Sequence, residues 1–176
     1  MAMRSVCVFC GASNGRDPSH ARIAHQMGRL LAEAQIELIY GGSAAGCMGA
    51  LADGATAAGG RVIGIAPQHL LETERPYATL ARLEVVADLA ARKLRMFALS
   101  AAIVVLPGGT GTLDELLEAR TMKRLGVIAH PIIVLDSDGF FGPLFELLHR
   151  MVNAGFVETT QLQLLHVVNN PAAAIS

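Results

Sequence analysis

The sequence predicts an open α/β fold in which a doubly wound parallel sheet carries helices on both faces. Short apolar runs alternate along the chain with longer segments of helical 3.6-residue periodicity. Two of the runs, 103–106 and 132–135, are apolar at every position, as expected of strands buried on both faces. The length of 176 residues and the hydrophobic content of 52% favour one domain, residues 1–176, with one large core.

Residues that start and stop helices and strands set the order of the elements. Asp17-Pro18 supplies a helix cap followed by proline at the first helical position, and Asp88 caps a later helix. The segment 67–81 is irregular and polar, which is typical of a functional connection. The predicted strands are 4–10, 36–40, 61–66, 83–87, 101–106, 131–135 and 164–168, and the predicted helices are 18–34, 47–58, 89–100, 113–125 and 140–154.

Composition excludes several classes of function. The net charge of −1 leaves no broad basic face for nucleic acid or an anionic membrane. No apolar run is long enough to span a bilayer, and the start of the chain lacks the layout of a signal peptide. We therefore expect a soluble, cytoplasmic protein with no nucleic-acid or membrane partner.

The cysteines and histidines do not predict a metal or redox site. Cys7 and Cys10 lie three apart on a predicted strand, so their side chains should face opposite sides of the sheet. The chain has three cysteines, an odd number, and its six histidines show no metal-binding spacing. We expect buried, structural cysteines and no protein metal site.

The stretch 107–115, P-G-G-T-G-T-L-D-E, carries the strongest functional signal. It follows an apolar strand and leads into a helix, so the glycines Gly108, Gly109 and Gly111 would let backbone N–H groups approach a ligand closely. A helix N-terminus with free N–H groups suits a phosphate. Glu115 then places an acid about one helical turn further on.

A capping box is the alternative interpretation of the same stretch. Thr112 would cap the helix and Glu115 would reach back to it, while Asp114 would favour the helix dipole. This interpretation does not explain the three glycines.

The cluster Arg92-Lys93-Leu94-Arg95 places three cations near a helix start, where cations are least favourable. A surface pair between Asp88 and Arg92 is one explanation. We favour instead an anion-facing Arg92, with Arg95 elsewhere on the surface.

Two further turns follow strands. The second glycine-rich turn, 41–46, lacks the dinucleotide fingerprint and is a weak signal, although Gly42 could approach a phosphate. Ser13 and Asn14 lie in the first turn and either donate to a phosphate or serve as ordinary turn residues. Since the carboxyl ends of parallel strands share one edge, these turns and the stretch 107–115 should lie together.

Taken together, these stretches resemble the LOG (Lonely Guy) family, cytokinin riboside 5′-monophosphate phosphoribohydrolases often labelled lysine decarboxylases. The stretch 107–115 fits P-G-G-x-G-T-x-x-E, and the pair Arg92-Lys93 lies fifteen residues before it. The stretches 10–13 and 40–50 also fit, and the resemblance covers about residues 4–170.

The resemblance implies hydrolysis of the N-glycosidic bond of a nucleoside 5′-monophosphate by a homodimer that needs no cofactor, with its site near the subunit contact. The family's catalytic residues fall on Arg92 and Glu115. Candidate substrate and phosphate contacts are Ser13, Gly42, Glu74, Lys93, Gly108, Gly109, Thr110, Gly111, Thr112, Asp114 and Thr121.

The choice of base and two other functions stay open at this point. The chain departs from the family pattern at Ser43, Thr110 and Met122, so the base is not predicted. A nucleotide or cofactor carrier of the same fold would need the phosphate site but not Arg92 with Glu115. A pyridoxal-phosphate decarboxylase would need Lys93 or Lys123, the only lysines.

Overall fold

The structure is a computed structural model that describes residues 4–72 and 75–176, and one parallel sheet lies between two layers of helices. The strands are β1 (Ser5–Phe9), β2 (Glu37–Tyr40), β3 (Val62–Pro67), β4 (Arg82–Val86), β5 (Ala102–Val105), β6 (Ile132–Leu135) and β7 (Leu165–Val168). The helices are α1 (Pro18–Glu33), α2 (Gly46–Ala57), α3 (Leu89–Leu99), α4 (Thr110–Arg124) and α5 (Gly142–Asn153). The predicted doubly wound α/β fold is confirmed.

The strand order creates a crevice in the middle of the sheet. Across the described residues the order is β4-β3-β2-β1-β5-β6-β7, and every pairing is parallel. The chain winds outward from β1 to β4 and then returns to place β5 beside β1. Ligands of such sheets bind at the carboxyl ends of the strands where the direction of winding reverses, here between β1 and β5.

Alternate residues of β1 face different helical layers. Val6 and Val8 pack in the cluster formed with α1 and α2, whereas Cys7 and Phe9 pack in the cluster formed with α3, α4 and α5. Cys10 belongs to the first cluster, so the prediction that Cys7 and Cys10 face opposite sides is confirmed. Both thiols are free and buried, and burial raises their pKa.

Two predicted helix caps are confirmed. Asp17 accepts a hydrogen bond from Ser19 N at 2.8 Å and is followed by Pro18. Asp88 accepts from Ala91 N at 2.8 Å and starts α3. These aspartates satisfy N–H groups that the first turn of a helix leaves free.

Two predicted helix starts are wrong. Helix α4 begins at Thr110 and not at Leu113, because Gly109 is its N-cap and contributes no side-chain hydrogen bond. The capping box with Thr112 as cap is therefore not formed. Helix α5 begins at Gly142 and not at Phe140, since Asp136 and Asp138 hold the preceding backbone in a turn.

The irregular segment after β3 folds back against the turn that follows β2. Tyr77 N donates to Gly42 O at 2.9 Å, and Ala44 N donates to Arg75 O at 3.0 Å. The segment therefore reaches the carboxyl edge of the sheet, where the predicted functional turns lie.

None of the helices in the described ranges combines the length and the apolar character that a bilayer crossing requires. In the same ranges, no three His, Cys, Asp or Glu side chains gather closely enough to hold a metal ion.

Candidate active site

A cavity of about 420 Å³ opens at the carboxyl ends of β1, β2 and β5, at the predicted crevice. Side chains from α3 and α4 form its charged wall, and the first turn of α4 forms its rim. Its lining residues are Val8, Phe9, Cys10, Ala12, Ser13, Gly41, Met48, Arg92, Gly109, Thr110, Gly111, Thr112 and Glu115.

The turns that follow these three strands are tied together by their backbones. Gly11 N donates to Pro107 O at 3.2 Å, and Met48 N donates to Gly11 O at 3.3 Å. Cys47 N also donates to Ser13 O at 3.4 Å. The expectation that the turns share one edge is confirmed, and backbone hydrogen bonds fix the turns that line the cavity.

Arg92 is a buried cation held by the backbone of β3. Its side chain is 10% exposed, and Nε donates to Ile65 O at 2.9 Å. Its Nη1 atom lies 3.8 Å from Glu115 Oε1. The alternative surface pair with Asp88 is not formed, because the Asp88 carboxylate caps α3. Helix α3 thus directs a fixed guanidinium into the cavity.

Glu115 faces Arg92 from the second turn of α4. Its side chain is 13% exposed, and burial raises its pKa to about 7. The guanidinium of Arg92 and the ammonium of Lys93 act in the opposite direction, while Asp114 raises the pKa further. Near neutral pH the carboxyl group is therefore divided between its two protonation states, which suits a group that exchanges a proton.

Arg92 and Glu115 approach each other without forming a hydrogen bond. At 3.8 Å the two groups attract each other, but the distance exceeds that of a hydrogen bond. Both groups therefore keep hydrogen-bonding capacity for a molecule in the cavity.

The N-terminus of α4 offers backbone donors at the rim. The first helical hydrogen bond runs from Leu113 N to Gly109 O at 3.1 Å. The N–H groups of Thr110, Gly111 and Thr112 precede this bond and open the helix. Together with the helix dipole, they form an environment that favours an anion.

The glycines at this rim differ in what the fold requires of them. A Cβ on Gly108 would lie 2.2 Å from Thr112 Oγ1 and 2.8 Å from Gly11 N, so the turn itself needs glycine there. A Cβ on Gly109 or Gly111 would meet no atom within 4 Å, and neither residue has a positive φ. The described protein atoms do not explain these two glycines, whereas close approach of a ligand would.

Lys93 and Asp114 are brought together, but away from the cavity lining. Lys93 Nζ lies 2.8 Å from Asp114 Oδ2 and also pairs with Glu118. These contacts occupy the ammonium group of Lys93, which was predicted to contact the substrate.

Thr121 and Gly42 do not join the cavity lining either. Thr121 is exposed on α4, beyond the turn that carries Glu115. Gly42 has a positive φ and packs toward Gly64, so its conformation explains why glycine is needed. Glu74 lies outside the described residues.

Gly41 lines the cavity, although it was predicted only as part of the turn 41–46 and not as a contact of its own. A Cβ at this position would lie 1.9 Å from Arg92 Nη2 and 2.8 Å from Met48 Sδ. Its position directly after β2 was the available signal, but only the tertiary structure shows that Arg92 crosses over it.

Replacing Gly41 by Ala should lower kcat for the reaction at this site by about 10²-fold, because the new methyl group displaces the Arg92 guanidinium. Stability should fall as well, since the buried Arg92 side chain and its hydrogen bond to Ile65 O are disturbed. Steady-state kinetics and thermal unfolding measure the two effects. Gly142→Ala is the control, as its Cβ would meet nothing within 4 Å. Unchanged turnover in Gly41→Ala would contradict the assignment of Arg92.

Comparison with known proteins identifies the family. The family model described as "Possible lysine decarboxylase" matches residues 48–176. Two similar relatives are the cytokinin riboside 5′-monophosphate phosphoribohydrolases LOG7 and LOG3 of Arabidopsis thaliana. The identity to LOG7 is 38% over 154 residues, which are 88% of this chain and 71% of the relative. The identity to LOG3 is 37% over 170 residues, which are 97% and 78% of the two chains.

Solved structures support the fold. The molybdenum cofactor binding protein from Rippkaea orientalis matches with a TM-score of 0.74, over 99% of this chain and 94% of that one. Its sequence identity of 24% supports a shared fold and nothing further. The family model and the relatives each cover most of the sequence, and on that evidence the chain belongs to the LOG family, as its resemblance predicted.

Proposed function

We propose that this protein is a phosphoribohydrolase that cleaves the N-glycosidic bond of a nucleoside 5′-monophosphate and releases the free base and ribose 5-phosphate. The observation that carries the proposal is the pair Arg92 and Glu115, which share one cavity with the open N-terminus of α4. The relatives LOG7 and LOG3 are named for this activity on cytokinin riboside 5′-monophosphate.

The 5′-phosphate binds at the first turn of α4. The N–H groups of Thr110, Gly111 and Thr112 donate to phosphate oxygens, and the helix dipole stabilises their charge. Ser13, which also lines the cavity, is a further donor. Because Glu115 follows on the same helix, this placement brings the ribose toward the acid and Arg92.

The chemistry follows from the charges of the pair. When the bond between C1′ and the base nitrogen breaks, its electrons leave with the base and positive charge develops on the ribose. Ionised Glu115 stabilises this charge and takes a proton from the water whose oxygen bonds to C1′. The departing base acquires one proton, which balances the one that Glu115 accepts. Arg92 stays protonated, so it orients the substrate and stabilises negative charge.

AMP and isopentenyladenosine monophosphate are the first substrates to test. Incubation of the protein with a panel of nucleoside monophosphates, followed by chromatography, should reveal free base and ribose 5-phosphate in a ratio of about one. Binding of the nucleotides without any base release would contradict the hydrolase and favour a carrier. The panel also decides which base the site prefers.

Replacing Gly111 by Ala should raise the KM for the nucleotide by about tenfold or more, because the methyl group would occupy the space of a phosphate oxygen. Alanine is the better helix former by about 1 kcal/mol, so the variant should be at least as stable as the wild type. Calorimetric titration and thermal unfolding separate the two effects. Wild-type affinity in Gly111→Ala would place the phosphate elsewhere.

We also propose a homodimer, as the resemblance implies. The exposed leucines Leu94 on α3, Leu117 on α4 and Leu125 at the C-cap of α4 support it, with exposures of 51%, 38% and 59%. Apolar side chains of this size gain free energy when a second copy covers them. Light scattering coupled to size exclusion would measure the mass, and a monomer at micromolar concentration would contradict the proposal.

A further inference from the structure

Lys93 forms an ionic bridge between α3 and α4, which we call the Lys93 bridge. Its Nζ atom pairs with Asp114 and with Glu118, and its side chain is only 12% exposed. Asp114 is 64% exposed, whereas Glu118 is 31% exposed, so water weakens the contact to Asp114 more. Glu118 is therefore the principal anchor of the buried ammonium.

The Lys93 bridge lies next to the pair formed by Arg92 and Glu115. The consecutive residues Arg92 and Lys93 of α3 reach Glu115 and Glu118, which lie one turn apart on α4. Arg92 is fixed from the other side by Ile65 O. The position of α4 relative to α3 consequently sets the 3.8 Å gap between the guanidinium and the carboxyl group.

We propose that Glu118 is a positioning residue for the reaction at Arg92 and Glu115, and that it acts through Lys93. Glu118 does not line the cavity, and it holds the ammonium of Lys93 away from the substrate. This inference rests on the proposed function, because it concerns the same site. In this proposal Lys93 helps to set the positions and charges of Arg92 and Glu115, and it does not contact the phosphate.

Several charged groups shift the pKa of Glu115, and two of them, Lys93 and Asp114, belong to the Lys93 bridge. Removing the charge of Glu118 should lower the pKa of Glu115, because a negative neighbour is lost and the ammonium is less neutralised. Removing the charge of Lys93 should raise it. The titratable and charged groups near Glu115 are Arg92 and Lys93 on α3, Asp114 and Glu118 on α4, and the thiols of Cys7 and Cys10 at β1.

The test uses Glu118→Gln and Lys93→Met, singly and together. Each single variant should lower kcat for base release about tenfold and leave KM within about twofold, since the pair is misplaced but the phosphate site is intact. The double variant should lose no more than the stronger single variant, because both changes break one bridge. Glu84→Gln is the control, as it breaks more exposed ion pairs, to Arg95 of α3 and to Arg82, that lie outside the cavity.

Carbon-13 NMR titration of the Glu115 carboxyl group gives a second measurement that does not need turnover. Its signal is assigned by its loss in Glu115→Gln, and its pKa should move in opposite directions in Glu118→Gln and Lys93→Met. A pKa that moves in neither variant overturns the inference, as does a raised KM with unchanged kcat. If the wild type releases no base from any nucleotide, the proposed function fails, while the titration still decides whether the bridge acts on Glu115.

Discussion

Replacing Glu115 by Gln should lower kcat for base release by about 10³-fold, which is the loss expected when a group acts both on a developing charge and on a proton. The amide has nearly the same shape as the acid, but it can neither stabilise a positive ribose nor accept a proton from water. The KM should change less than about threefold, because the phosphate donors at the start of α4 are untouched. Chromatography of released base measures kcat, and calorimetry measures nucleotide affinity.

Two comparisons make this result specific to the carboxylate of Glu115. Glu84→Gln should retain full activity, since Glu84 pairs with Arg95 and does not line the cavity. Circular dichroism should give the same spectrum for both variants and the wild type. Turnover of Glu115→Gln at the wild-type rate would rule out the proposed mechanism, whatever the affinity for nucleotides.

The helices and strands were predictable where local residues carry the signal. Asp17 and Asp88 cap their helices through their own side chains, and such residues can be recognised in a sequence. The start of α4 was misplaced because Gly109 caps it without a side-chain contact, while the apolar periodicity begins only at Leu113. The fully apolar strands indicated a parallel sheet. The order of the strands along the chain did not show that β1 lies between β2 and β5.

The sequence brought the residues of the candidate site together but did not show their contacts. The glycine stretch and the cations before it placed Arg92 and Glu115 at one edge of the sheet. The sequence gives no signal for the carbonyl of Ile65 that holds Arg92, since every residue has a carbonyl. The pairing of Lys93 with Glu118 was not predictable either, because it depends on the position of α4 relative to α3.

Glu115→Gln should also stabilise the protein, and by more at high pH than at low pH. The pKa of Glu115 rises from 4.5 to about 7 on folding, so the folded state binds more protons than the unfolded state between these values. The contribution of Glu115 to the free energy of unfolding therefore falls as the pH rises from about 4.5 to about 7. At pH 8 the ionised side chain lowers this free energy by about 3 kcal/mol. Glutamine resembles the protonated acid and avoids this cost.

The gain should appear as a rise in Tm of about 6–12 °C at pH 8 and of much less at pH 5. Glu84→Gln should show the opposite pH dependence. Hydrogen bonds from Arg95 lower the pKa of Glu84, so the stability that ionised Glu84 contributes is lost as the pH falls. That variant should be destabilised at pH 8 and less affected near pH 4. An equal change in Tm for Glu115→Gln at both pH values would show that burial does not oppose ionisation of Glu115. The pair of measurements therefore tests the premise on which its role as a proton acceptor rests, independently of any substrate.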